Sequence, residues 1–351
     1  MKKLSDIAWN VTEEVYREDK ALSYSTLSRY LREGFHKLPQ LFDKIETPSL
    51  TFGSAVDAII TGGQKEFNDR FVVANTSLDS EAGSIIKAIY DTYKDQYQQF
   101  MKIPIIQVSQ IAKQNGFWPA DKWSDQARYN GLLKKGYVEH YYQLLRVCET
   151  KSILSQETYK EVIECVQALR TADATKFYFA ENESSTHSIQ RYYQLKFKAV
   201  FNGVEYRCMM DEILVDYANK KIYPIDLKTS SHFEDEFPKS FIQWCYQLQA
   251  RLYYRILKAN LEQDDFFKDF EVEDYTFIVV NKHSLTPLTW RFTQTKTIGT
   301  ITLGKNQQYR LKDPFEIGEE LHYYLNNECV VPKDINTAKT NDIVAYLSNV
   351  E

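Results

Sequence analysis

The stretch Tyr223-Pro224-Ile225-Asp226-Leu227-Lys228-Thr229-Ser230 decides how the rest of the chain reads. An apolar run ends in a carboxylate, one hydrophobe and a lysine. In an extended strand, side chains two apart share a face. Asp226 and Lys228 therefore project together, while Ile225 and Leu227 pack on the other side. Pro224 has no N–H for a ladder, which suits a strand start or a bulge. Taken alone, the triplet is an ordinary ion pair as readily as a metal ligand beside a group that handles a charged oxygen. The neighbouring segments give it weight.

Upstream, Tyr193, Leu195, Phe197, Ala199 and Phe201 alternate with Gln194, Lys196, Lys198 and Val200, the pattern of a strand with one basic face. Asn202-Gly203 is a two-residue hairpin signal. Val204, Tyr206, Cys208 and Met210 then alternate up to Asp211, and Ile213-Leu214-Val215 continue the strand. A turn at 216–220 leads into the opening stretch, so three strands form a meander. Adjacent strands lie about 5 Å apart, which lets Asp211 and Asp226 meet. Two buried carboxylates repel, and one pKa rises unless a cation sits between them. Mg²⁺ takes carboxylate and carbonyl oxygens, with the Leu227 carbonyl as a further ligand. Lys228 beside the ion suits charge stabilisation on a metal-bound hydroxide or a phosphorane-like transition state.

Downstream, Pro238 marks a helix start. Phe241, Cys245, Leu248, Leu252 and Ile256 form its apolar stripe, with Gln249 and Tyr253 four apart on its flank. An amide and a hydroxyl there suit orientation of the lysine, a water or a phosphate. Tyr275–Val280 reads as a buried strand, Leu288–Phe292 as its return, and 305–327 as a final helix before a polar tail. Towards the N-terminus, 5–18 suits a polar-faced helix, and Ser23 caps a second with Leu27, Tyr30 and Leu31 on one face. In Leu50–Ile60, Phe52, Val56, Ile59 and Ile60 make a stripe, and Gly53 and Asp57 share the adjacent face. Residues 80–175 read as largely helical, with loops near Gly83, Gly116, Pro119 and Gly131. The expected organisation is an N-terminal helical part (1–75) carrying Asp57, a helical insertion (76–180), a catalytic core (181–300), and a C-terminal helix and tail (301–351).

Asp211, Asp226-Leu227-Lys228 and Gln249-Ala250-Arg251-Leu252-Tyr253 resemble, in that order, the PD-(D/E)xK nuclease superfamily, and more closely its RecB-like branch. Those nucleases show an Asp, then D/E-x-K about fifteen residues on, then Q-x-x-x-Y on the next helix. Phe52-Gly53-Ser54-Ala55-Val56-Asp57 is similar to the branch's Gly-x-x-x-His helix, with Asp57 in place of the histidine. Leu22-Ser23-Tyr24-Ser25 and Cys208-Met209-Met210-Asp211 look like segments of phage RecE-like exonucleases. The matched stretches are roughly 20–60 and 186–257, and the proline that names the motif is absent before Asp211. The resemblance implies an α/β core sheet flanked by helices, restriction-endonuclease-like, with a large helical insertion. It implies Mg²⁺-dependent hydrolysis of DNA, with Mn²⁺ as a substitute. Asp211, Asp226, Lys228, Gln249 and Tyr253 would be catalytic, and Asp57, Asp211, Asp226 and the Leu227 carbonyl would hold metal. Arg191, Lys196, Lys198, Arg207 and Thr229 are the candidates for contact with the DNA backbone. A 5′-to-3′ exonuclease on duplex ends in phage recombination is the expectation, working as a homo-oligomer beside a single-strand annealing protein. The alternatives are an endonuclease of the same superfamily in defence or DNA processing, an inactive nuclease-like DNA-binding protein, and a helical scaffold protein in which these residues form structural ion pairs.

The 351 residues are 43% hydrophobic and 26% charged, an ordinary globular composition. The net charge of −5 argues mildly against a general polyanion binder, while leaving room for one basic groove. The five cysteines form no C-x-x-C pair, which points to free thiols and away from a zinc or iron–sulfur centre. No Gly-x-x-x-x-Gly-Lys-Ser/Thr loop occurs, so ATP-driven activity is not expected. The sequence lacks an apolar leader and a membrane-length run, so a cytoplasmic, membrane-free protein is expected.

Overall fold

The computed structural model describes residues 2–43, 45–74, 80–148, 151–179, 188–294, 300–303 and 307–326. The expected polar tail after Pro332 lies outside them. The chain forms two compact units. The first comprises Met1–Ile45, Asp173–Val280 and Pro287–Glu351; the second comprises Glu46–Ala172 and Asn281–Thr286.

The first unit is a mixed α/β assembly with a sheet flanked by helices. Its strands are β1 (Ile189–Phe201), β2 (Val204–Asp216), β3 (Lys221–Ser230), β4 (Glu271–Val272), β5 (Tyr275–Asn281) and β6 (Leu288–Phe292). The order across the sheet is β1-β2-β3-β5-β6, with β4 pairing to β3. β1, β2 and β3 form the expected antiparallel meander. Asn202 and Gly203 both have positive φ (51° and 79°), as a two-residue primed turn requires. At the second turn the Asp216 carboxylate accepts the N–H groups of Ala218 and Asn219, and Lys220 takes φ 53°.

The alternation of β1 and β2 is not continuous. Phe197 on β1 and Val204, Tyr206, Cys208 and Met210 on β2 join one core, with Leu195, Ala199 and Phe201 packed against it. Further along, the core members are Ile213 and Val215, and Tyr192 rather than the expected Tyr193 packs on them. The core-facing positions thus change parity in both strands, between the pairs Leu195–Met210 and Tyr193–Glu212. Gln194, inside this interval, has φ 54°, a left-handed conformation that a non-glycine residue adopts uncommonly. Such irregularities bend a ladder and re-aim side chains. Asp211 sits at this switch.

Five helices of the first unit concern the site: α1 (Glu13–Glu18), α2 (Tyr24–Glu33), α3 (Phe237–Gln243), α4 (Tyr246–Glu262) and α5 (Pro314–Asn326). The long polar helix expected over 5–18 is instead a short 3₁₀ turn at Leu4–Asp6 and α1, capped by Thr12. Ser23 caps α2 as expected, its hydroxyl accepting the Thr26 N–H. The stripe from Phe241 to Ile256 is split between α3 and α4, because Cys245 adopts φ 57° and interrupts the helix. Leu248, Leu252, Ile256 and Leu261 then bury α4 in the sheet's core. The expected helix over 305–327 starts later, at Pro314, and 307–310 form a strand paired with 300–303. Gly318 of α5 admits the Tyr206 hydroxyl where a Cβ would stand 2.1 Å from it.

The second unit is mainly helical. Its helices include Pro48–Arg70, Ser80–Tyr93, Ile105–Gln114, Asp125–Leu133, Val138–Val147 and Gln156–Thr171. Gly83 and Gly131, expected in loops, lie within helices. The Asp57 helix groups with this unit, so the division falls at Ile45–Glu46 rather than near 75. The physical reason is local: Phe67 stacks on Phe71 and meets Tyr159, and Phe71–Ala74 pairs in parallel with Ser152–Ser155. No described helix is long and apolar enough to cross a membrane.

Candidate active site

β2, β3 and α4 carry Asp211, Asp226, Leu227, Lys228, Gln249 and Tyr253 of the expected residues. The β2–β3 register pairs Glu212 with Ile225. Just beyond that pair the Asp211 and Asp226 side chains come within reach of one another. The Asp211 carboxylate accepts the backbone N–H of Leu227 at 3.0 Å. Asp226 is 1% exposed. Its Oδ1 accepts a hydrogen bond from Gln249 Nε2, and its Oδ2 lies 2.6 Å from Lys228 Nζ. Oδ2 is thus ion-paired with the lysine ammonium. Gln249 and Tyr253 are both buried, one turn apart on the face of α4 that meets the sheet.

Electrostatics mark this group off from an ordinary ion pair. Burial pushes the Asp226 carboxyl above its usual range; Lys228, Gln249 and Asp211 pull the other way without cancelling it. For Lys228, burial disfavours the ammonium, but the Asp226 carboxylate, with Asp211 behind it, more than offsets this and holds the amine protonated. The Lys228 ammonium also lies 4.8 Å from the centre of the Tyr246 ring, a cation–π contact. Glu212, next to Asp211 and 2% exposed, has its carboxyl pushed up to about 8 by burial, with only Arg191 at 3.9 Å in opposition.

Two hard carboxylates on neighbouring strands, with a backbone carbonyl, are the donor types Mg²⁺ takes, usually with one or two carboxylates and several waters. Among the described residues Gln249 Oε1, beside Asp226, is a buried acceptor without a hydrogen-bond partner, which suits a cation there. Among the described residues no group of three or more His, Cys, Asp or Glu side chains is arranged to hold a metal. Within the first unit, the expected donors Asp211, Asp226 and the Leu227 carbonyl lie on the neighbouring strands β2 and β3.

The other expected residues lie elsewhere or are differently occupied. Asp57 belongs to the second unit, 4.0 Å from Arg70 of its own helix. Arg191, half-buried, donates to the Tyr178 and Phe177 carbonyls. Arg207 is buried against the Tyr16 ring at 4.6 Å. The Arg207 guanidinium is therefore withdrawn from a solvated strand face, and that of Arg191 is engaged by backbone carbonyls. Lys198 pairs with Asp19 at 2.8 Å and lies over Trp9. Lys196 and Thr229 are half-buried.

The sequence reading overlooked three aromatic residues around the group. Tyr246 underlies Lys228; Tyr24 stands 6.0 Å from Tyr246 and donates to the Trp244 carbonyl; Tyr275 on β5 packs 6.4 Å from Tyr253. Tyr246 lies three residues before Gln249 on α4, a spacing that a search for neighbours of the Gln-x-x-x-Tyr segment reaches.

No family profile matches the chain, and no curated protein matches it. A candidate exonuclease from Eubacterium rectale, known as a crystal structure, is similar over 97% of this chain and 100% of its own, with 12% identity and a TM-score of 0.40.

Proposed function

We propose that the chain is a metal-dependent DNA nuclease that hydrolyses phosphodiester bonds. The observation that carries this reading is Asp226: a carboxylate 1% exposed, gripped by Gln249 and Lys228, with a second carboxylate, Asp211, beside it. Asp211, Asp226 and the Leu227 carbonyl would hold Mg²⁺, with Mn²⁺ as a substitute. When bound, the ion supplies Lewis-acid stabilisation of the phosphate and a more acidic water. Lys228 faces the phosphate as a fixed positive charge and stabilises the negative charge that develops there. Gln249 fixes the Asp226 carboxylate by donating to Oδ1, and the buried Tyr253 limits water behind it. Lys196 and Thr229 remain candidates for contact with the DNA backbone.

The resemblance of the Asp…Asp-x-Lys…Gln-x-x-x-Tyr series supports the finer reading. That reading is a RecE-like 5′-to-3′ exonuclease acting on duplex ends in phage recombination, as a homo-oligomer beside an annealing protein. An endonuclease built on the same site gives different products. The purified chain is incubated with end-labelled linear duplex and with closed circular DNA, in Mg²⁺ and in EDTA. The exonuclease reading expects Mg²⁺-dependent release of nucleotides from ends and intact circles. Cleavage of circles supports the endonuclease, and no cleavage of either substrate removes the nuclease reading.

A further inference from the structure

Helix α4 reaches both members of the Asp226–Lys228 pair. Gln249 donates to the Asp226 carboxylate. Tyr246, three residues earlier and a neighbour of Gln249 on the helix surface, lies against the lysine. The Lys228 ammonium stands 4.8 Å from the centre of the Tyr246 ring. Packing on several sides fixes that ring. Cys245, at φ 57°, interrupts the apolar stripe so that Tyr246 opens α4. Phe237 stacks on the ring at 5.7 Å with the planes 18° apart, and Phe277 packs against it at 5.7 Å. Tyr24 stands 6.0 Å away and donates its hydroxyl to the Trp244 carbonyl, two residues ahead of Tyr246. An aliphatic side chain would serve this apolar packing, but it would offer the ammonium no π face.

We propose that Tyr246 is a positioning residue for Lys228, the face of its ring holding the ammonium in the direction from which it meets the reacting phosphate. A lysine is a point charge on a flexible four-carbon stem, so a fixed charge needs restraint from more than one side. Asp226 restrains the ammonium at 2.6 Å from the same strand, and Tyr246 restrains it from the helix. The Lys228 side chain is only 17% exposed, and cation–π attraction is strongest where the cation is desolvated. With Gln249 on Asp226 and Tyr246 on Lys228, one helix sets how the two charges lie relative to each other. The catalytic consequence rests on the nuclease reading. The contact between ring and ammonium does not.

The experiment compares Tyr246→Phe, which keeps the π face, with Tyr246→Leu, which removes it, in the full chain. Steady-state rates are measured on end-labelled linear duplex in Mg²⁺. The proposal expects Tyr246→Leu to lower kcat about tenfold with KM held within about twofold, the signature of a misplaced group rather than lost binding, and Tyr246→Phe to keep kcat within about twofold. Should Tyr246→Leu fail to fold, 3,4,5-trifluorophenylalanine at position 246 takes its place, with nearly the same shape and a depleted π face. A native-like kcat for the variant without the π face overturns the proposal. So does a change in KM alone, or a fall for Tyr246→Phe as deep as that for Tyr246→Leu. Thermal midpoints of the same substitutions are also read in an Asp226→Asn, Lys228→Met background, which removes both charges together. Loss of the π face should lower the midpoint more in the native chain than in that background, and equal losses overturn the proposal. If the native chain cleaves nothing, the nuclease reading fails, while the midpoints still decide whether the Tyr246 ring holds Lys228.

Discussion

Lys228 and Lys198 look alike. Each is a strand lysine of the first unit, each faces a carboxylate within 3 Å (2.6 Å to Asp226, 2.8 Å to Asp19), and each lies over an aromatic ring. The carboxylates differ. Asp19 keeps 21% of its side chain exposed, Asp226 only 2%. Burial works against both anions. At Asp19 it is outweighed by the Lys198 hydrogen bond and the Ala21 N–H, and the carboxyl falls below its ordinary value. At Asp226 burial prevails despite Lys228 and Gln249, and the carboxyl rises. One pair satisfies its anion. The other leaves an anion whose environment still calls for positive charge, the condition under which a carboxylate earns a cation or a substrate.

The sharpest way to break this contrast is to remove each lysine. Lys228→Ala leaves Asp226 buried without its cation, and losses of about 3–5 kcal/mol accompany such cuts. Lys198→Ala exposes Asp19 to water, at a cost of about 0–1 kcal/mol. Denaturant unfolding of both variants reads the difference directly, and equal losses would erase it. Next in size is Gln249→Leu, which removes the donor to Asp226 Oδ1; a hydrogen bond to a charged group contributes about 1.5–3 kcal/mol. Unfolding midpoints in urea should show this loss, and a neutral result would mean that Asp226 does not depend on Gln249.

The smallest effect is a pH dependence. Because the Asp19 carboxyl is depressed in the folded chain, its contribution is present above its ordinary value of 3.8 and is lost as the pH falls through the lower folded value. Asp19→Asn should therefore lower the thermal midpoint slightly near neutral pH, with an effect that shrinks as the pH falls below 3.8 and through the lower folded value. A shift of the same size near neutral pH and at the acid end would contradict the assignment.

Much of this arrangement is legible in the sequence because its signals are local. Period-two alternation and Asn202-Gly203 specify the β1–β2 hairpin, and Asp-x-Lys spacing in a strand puts Asp226 and Lys228 on one face. Tyr275–Val280 and Leu288–Phe292 read as paired strands from their composition alone. What escaped depends on tertiary context. Gln194 carries no local mark of a left-handed backbone, so the parity change that sets Asp211 apart is invisible in the pattern. Cys245 interrupts an apolar stripe that reads as continuous. The burial of Arg207 and the backbone contacts of Arg191 follow from what covers the strand face, which alternation cannot report. The grouping of Asp57 with the helical unit is decided by packing around Phe67 and Phe71, far along the chain from its partners.

The most direct test of the central claim sets two carboxylate substitutions side by side. Mg²⁺-dependent cleavage of end-labelled linear duplex is measured for Asp226→Asn and Asp19→Asn against the native chain. The account predicts that Asp226→Asn loses about a hundredfold to a thousandfold in rate, the scale of losing a group preorganised for the transition state, while Asp19→Asn stays within about twofold. Native-like cleavage by Asp226→Asn, or equal losses in both variants, would contradict it.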